Sequence, residues 1–130
     1  MATSDTDPTG ELTLRMVAMP ADTNPNGDIF GGWIMALMDL AAGTAAATRA
    51  KGRTATAAVS HLSFLRPVKV GDIVCVYTKI IRVGRTSMSF SVEAWALPRG
   101  GVDDRHKVTA AEFVMVAVDD HGKPRPVPDA

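Results

Sequence analysis

One segment of this 130-residue chain has the length and character of a helix, and the rest reads as strand and turn. Gly31 to Arg49, GGWIMALMDLAAGTAAATR, is apolar or small at almost every position and free of proline, whereas everything beyond Arg53 breaks into strand-length runs. A sheet with a single helix to cover it buries both best by curving around that helix. The expected fold is therefore α+β, a curved antiparallel sheet wrapped around one long central helix, built as a single domain over residues 1–130.

The strand-like runs are short and regular. Leu12 to Met19 suits a first strand, and the loop PADTNPNGDIFGG follows, its Asn-Pro, Asn-Gly and paired glycines marking a compact turn that ends where the helix begins. On the helix, Gly32, Ala36, Asp39, Gly43 and Ala46 recur at spacings of three and four, which predicts one face of very small residues packed closely against the sheet. Lys51 and Gly52 supply a basic residue and then a glycine stop. Four further strands are expected in antiparallel succession, at Thr54 to Leu65, Ile73 to Val83, Thr86 to Leu97 and Lys107 to Val118. In the third of these, Met88, Phe90, Val92 and Ala94 alternate with Ser87, Ser89, Ser91 and Glu93, so one sheet face is expected to be buried. VGRT, from Val83 to Thr86, reads as a tight hairpin; PRGGVDDRH reads as a longer, mobile loop; residues 1–11 read as a flexible terminus.

Composition removes several functions. Fourteen basic residues balance fourteen acidic ones with no long run of either sign, which argues against a nucleic-acid partner. The polar N-terminus lacks a secretory signal, and the alanine-rich helix with Asp39 near its centre is a poor membrane span. Cys75 has no partner for a disulfide, which suits a reducing cytoplasm. No metal is expected, because His61, His106 and His121 are scattered singly. Serine-nucleophile, dinucleotide and phosphate-loop signatures are absent.

Asp39 stands out after these exclusions. It is the only ionisable side chain between Asp28 and Arg49. Desolvated by a sheet, its carboxyl would be pushed up toward neutrality and suit a general base; paired with an arginine at a wet subunit interface, it would be structural. Both readings stand on the residues alone. Gly31 and Gly32 place unpaired backbone N–H groups at a helix N-terminus, where they can hold a carbonyl oxygen as it becomes an oxyanion or simply make the turn. Asp28 reads as a turn or cap residue. Arg66, Arg82, Arg85, Lys123 and Arg125 cluster at strand ends, where guanidinium forks suit phosphates.

AMPADTNPNGDIFGGWIMALMDLAAG, FLRPVKVGDIVCVYTKIIRVGRTS and VTAAEFVMVAVDDHGKPRPV, in this order, closely resemble the YciA-type acyl-CoA thioesterases of the hotdog fold over about Leu12 to Val127. The resemblance implies hydrolysis of acyl-CoA to a free acid and CoA, with no cofactor beyond the CoA carried by the substrate. It implies a homodimer, commonly assembled into a trimer of dimers, with each site taking Asp39 from one protomer and Asn24 from the other. Asp39 would activate water or attack directly, Asn24 would hold the water or the carbonyl, and the Gly32 amide would receive the oxyanion. Gly84, Arg85, Thr86 and Ser87 match the segment lining the CoA nucleotide site, and Arg66 and Arg85 are the expected phosphate contacts. Pro25, directly after Asn24, stiffens the loop.

Two rival readings compete with this one. A hotdog hydroxyacyl dehydratase needs a histidine paired with a carboxylate, and neither the loop nor the helix contains one. A non-catalytic acyl-CoA sensor remains the alternative, separated from an enzyme by thioester turnover.

Overall fold

The computed structural model describes residues 7–98 and 104–130. Residues 1–6 of the terminus expected to be flexible, and residues 99–103 of the PRGGVDDRH loop, lie outside the described residues. One α-helix and five strands make up the described fold, in the order β1 (Glu11–Val17), α1 (Gly31–Ala50), β2 (Thr54–Phe64), β3 (Ile73–Val83), β4 (Ser87–Leu97) and β5 (His106–Ala117). All strand pairings are antiparallel, and α1 packs against every strand of the sheet. This is the hotdog arrangement.

The order across the sheet is β1-β3-β4-β5-β2, which corrects the expectation that β2 to β5 follow one another as neighbours. Only β3, β4 and β5 do so. β2 lies at the far edge beside β5, with Thr56 opposite Met115 and Phe64 opposite Thr109, while β1 takes the place next to β3. The segment between β2 and β3 makes this possible, because it is bonded along its way rather than turning tightly. Leu65 N–H donates to Val108 O, Val68 O accepts from Ile29, and the turn at Gly71 and Asp72 is tied to Ala18 at the end of β1. It thus passes the start of α1 and delivers the chain to β3, beside β1.

The face of α1 turned to the sheet carries Ile34, Leu37, Met38, Ala41, Ala42, Ala46 and Ala50, packed on Val74, Val76, Met88, Phe90, Val92, Phe113 and Met115. Of the small-residue face expected from the sequence to pack on the sheet, only Ala46 is buried. Gly32, Ala36 and Asp39 are exposed, and a Cβ built on Gly43 meets nothing within 4 Å. The expectation failed because no continuous polar stripe marks the outer side of α1. The glycine stop is also displaced: Lys51 itself takes the left-handed conformation (φ 55°), and Gly52 instead leaves room for Arg125, whose Nη2 lies 2.7 Å from where its Cβ would be.

The outer sheet face is covered as well. On β4, Met88, Phe90, Val92 and Ala94 point into the core as the alternation predicts, yet Ser89, Glu93 and Trp95 on the other side are also buried. Glu93 Oε1 accepts from Trp95 Nε1 at 2.9 Å and from the Thr9 backbone at 3.1 Å, which fastens the residues before β1 to the sheet. Lys107 and Arg105 lie about 6 Å from the Trp95 ring centre and complete the cover. The cover is incomplete at the edges, where most residues of β1 and β2 are exposed, and along Lys79–Val83 of β3.

Candidate active site

The loop before α1 is shaped by Asn24. Its Oδ1 accepts the backbone N–H of Asn26 at 2.9 Å and of Asp28 at 3.1 Å, while its own N–H donates to Asp28 O at 2.7 Å. Pro25 sits inside this turn without preventing the Asn24 Oδ1 bonds to the Asn26 and Asp28 amides. With Oδ1 occupied twice by donors, the carboxamide orientation is fixed and Nδ2 remains without a partner among the described residues. Asp28 caps the other side of the loop by pairing with Lys69 at 2.5 Å.

α1 then starts at Gly31, with Phe30 as its N-cap and no side chain capping the free amides. A cleft of about 460 Å³ opens at this point, lined by Asn24, Gly31 and Arg66 and walled by Ile29, Ile34, Phe64 and Val68. One protomer thus brings together an amide donor, the positive end of a helix and an exposed guanidinium. Arg66 has no hydrogen-bond or ion-pair partner among the described residues.

Asp39 lies elsewhere. It is eight positions along the helix from Gly31, roughly 12 Å at an α-helical rise. Thr56 of β2 donates its hydroxyl to Asp39 Oδ1 at 2.5 Å, leaving Oδ2 free. Asp39 is exposed, so this chain's own sheet does not supply the desolvation expected from the sequence. Only a second body laid against β2 and the outer face of α1 could do so. Exposed Leu40 on α1 and Val59 on β2 offer such a body apolar side chains to meet.

The Gly84–Ser87 turn sits at a third place. It closes the β3–β4 hairpin, with Gly84 N–H donating to Ser87 O at 2.7 Å, and it is held from the tail by Val127 N–H donating to Arg85 O at 2.8 Å. Ser87 is opposite Val116, which is opposite Ala55, so the turn belongs to the Thr56 end of the sheet. Phe64 and Arg66 belong to the other end, eight residues of β2 away, roughly 25 Å of extended chain. Sequence reasoning missed Thr56 altogether. Its signal was faint, one of four hydroxyls in TATAAVSHLSF with nothing to set it apart.

Among the described residues no three His, Cys, Asp or Glu side chains are grouped to hold a metal ion, and no helix is long and apolar enough to cross a membrane.

Residues 26–102 match the model of the thioesterase superfamily. The acyl-CoA thioester hydrolase YciA of Salmonella typhimurium is 50% identical over 130 residues, covering 98% of both chains. The chain is a YciA-type thioesterase of this superfamily. Among solved structures, this thioesterase is similar to the hexameric thioesterase of Yersinia pestis (49% identity, TM-score 0.90, 95% of this chain and 99% of that one). It is also similar to an acyl-CoA hydrolase of Staphylococcus aureus solved with butyryl coenzyme A, coenzyme A and coenzyme A disulfide (30% identity, TM-score 0.81, 88% and 70%). That hydrolase was also solved as single aspartate-to-alanine and threonine-to-alanine variants, whose altered positions lie 17 residues apart, the separation of Asp39 and Thr56 here.

Proposed function

We propose that this YciA-type thioesterase hydrolyses acyl-CoA thioesters to a carboxylic acid and CoA, as a single domain over residues 1–130 that works as a homodimer assembled into a hexamer. The observation that carries the reading is Asp39 held by Thr56 on the exposed face of an otherwise apolar helix. A carboxylate so oriented, on a face that only another body can dry, fits a base at a subunit interface. The separation of Asp39 from the Asn24 cleft supports a site shared between protomers, with Asp39 from one and Asn24 from the other.

In the reaction, Oδ2 of Asp39 takes a proton from water as the water oxygen attacks the thioester carbonyl. The carbon–sulfur bond breaks, and the carboxyl returns its proton to the leaving thiolate. Direct attack by Asp39, with an anhydride hydrolysed in a second step, uses the same geometry. Asn24 acts as a donor: its Oδ1 is committed to the loop, so Nδ2 holds the carbonyl or the oxygen of the water. The free Gly32 N–H, at the positive end of α1, receives the oxyanion. Arg66 and Arg85 take CoA phosphates, with Gly84, Thr86 and Ser87 shaping the nucleotide end of the groove. No further cofactor enters, and the unpaired Cys75 fits a cytoplasmic setting.

The test is release of free thiol from a panel of acyl-CoAs by the natural protein and by Asp39→Asn. A drop of about a hundredfold or more in kcat with the oligomer intact supports the catalytic carboxylate. No turnover by the natural protein on any member of the panel would put the acyl-CoA sensor ahead.

A further inference from the structure

The cleft beside the helix start contains one side chain that the chemistry above does not use. Phe64 ends β2 on the open edge of the sheet and is 50% exposed although it points to the inner, helix-facing side. Its ring is seated against Gly31: the Cζ atom lies 3.0 Å, and Cε1 3.1 Å, from the place a Cβ on residue 31 would occupy. The missing side chain at Gly31 is thus filled by the Phe64 ring, which stands directly beside the amides proposed to hold the thioester carbonyl. The rest of the wall, Ile29, Ile34 and Val68, is fully apolar and buried.

What lies behind the ring is unusual. Phe64 is opposite Thr109 in the β2–β5 ladder, so the two side chains share one face of the sheet. Thr109 is 0% exposed, and its Oγ1 is the one buried side-chain polar atom among the described residues that lacks a hydrogen-bond partner. An orphaned hydroxyl is disfavoured in a packed core. As neighbours on the inner face, the two side chains put the Phe64 ring where the cleft meets the packed interior. The strand leading to Phe64 is also irregular, with His61 at φ 55° and the register shifted between Ser60 and Ser63 before the Phe64–Thr109 pair.

We propose that Phe64 is the specificity-determining residue for acyl-chain length, the ring forming the end wall against which the chain stops. This rests on the acyl-CoA hydrolysis reading above. A hydrophobic pocket discriminates one methylene by roughly ten- to two-hundredfold, so moving its end wall by part of a ring changes selectivity measurably. The ratio of kcat/KM for palmitoyl-CoA to that for butyryl-CoA is the readout, because it cancels losses common to both substrates.

Phe64→Leu and Phe64→Ala should raise this ratio by about tenfold or more, and Phe64→Trp should lower it by a similar factor. Light scattering on each variant checks that assembly is kept; if the alanine variant dissociates, the opposite shifts of the leucine and tryptophan variants decide. A ratio unchanged within about threefold across the assembled variants, with both constants falling together, means that Phe64 only supports the fold and overturns the assignment. If instead the natural protein turns over neither thioester, the hydrolase reading itself fails, and the proposal with it.

Discussion

Replacing Asn24 with aspartate separates two jobs that one side chain performs. Oδ1 accepts two backbone N–H groups of the loop, at 2.9 and 3.1 Å, while Nδ2 is free to donate into the cleft. An aspartate keeps an oxygen for both loop bonds and exchanges the donor for a second, charged acceptor oxygen; alanine loses everything. At about 0.5–1.5 kcal/mol for each net hydrogen bond, Asn24→Ala forfeits roughly 1–3 kcal/mol of loop stability. At this chain length that lowers the melting temperature by roughly 3–5 °C per kcal/mol. Asn24→Asp should melt near the natural protein, yet lose about 10²–10³ in kcat, the usual cost of one donor to a developing oxyanion. Calorimetry and thiol release on the three proteins read the two effects separately. Full activity in the aspartate variant would refute the donor assignment, and equal destabilisation of both variants would refute the loop accounting.

Thr56→Val removes the bond that orients Asp39 and should reduce kcat by about tenfold or more while KM changes little, in steady-state kinetics; loss confined to KM contradicts a positioning role. Gly10→Ala should destabilise by about 2 kcal/mol or more in urea unfolding, because Gly10 sits at φ +102° and its Cβ would lie 2.4 Å from Thr78 O. Asp119 is held below the usual carboxylate range by the backbone N–H of Lys123 and then that of His121. Since its folded value is depressed, its contribution is present above the ordinary value of 3.8 and is lost as pH falls through the folded one. The melting gap between the natural protein and Asp119→Ala should thus be full at neutral pH and close in strong acid; a gap that widens on acidification has the wrong sign.

The element types were legible because strand and helix differ in period and because proline and glycine punctuate the gaps. Ile73–Val83 was read residue for residue, and α1 to within two residues. Strand order was not legible. It depends on the bonds made by the connection from Leu65 to Asp72, whose partners Ala18, Ile29 and Val108 lie far away in sequence. The buried side of α1 was unreadable for a related reason: its exposed side carries Gly32, Ala36 and Leu40 as well as Asp39, Thr44 and Thr48, so no continuous polar stripe orients it. Asp39, Asn24, Gly32, Arg66 and the Gly84–Ser87 turn stand out in the sequence as candidates by residue type. Their scatter over the fold was not, and Thr56 was invisible because nothing local marks a hydroxyl that serves a residue 17 positions earlier.

The distance between the Asn24 cleft and Asp39 has a genetic consequence. If each site draws one of these groups from each protomer, a mixed dimer of an Asp39→Asn chain and an Asn24→Asp chain assembles one site carrying both defects and one carrying neither. Two alleles that are each inactive alone then complement when expressed together, and the rescued activity measures how freely the subunits mix.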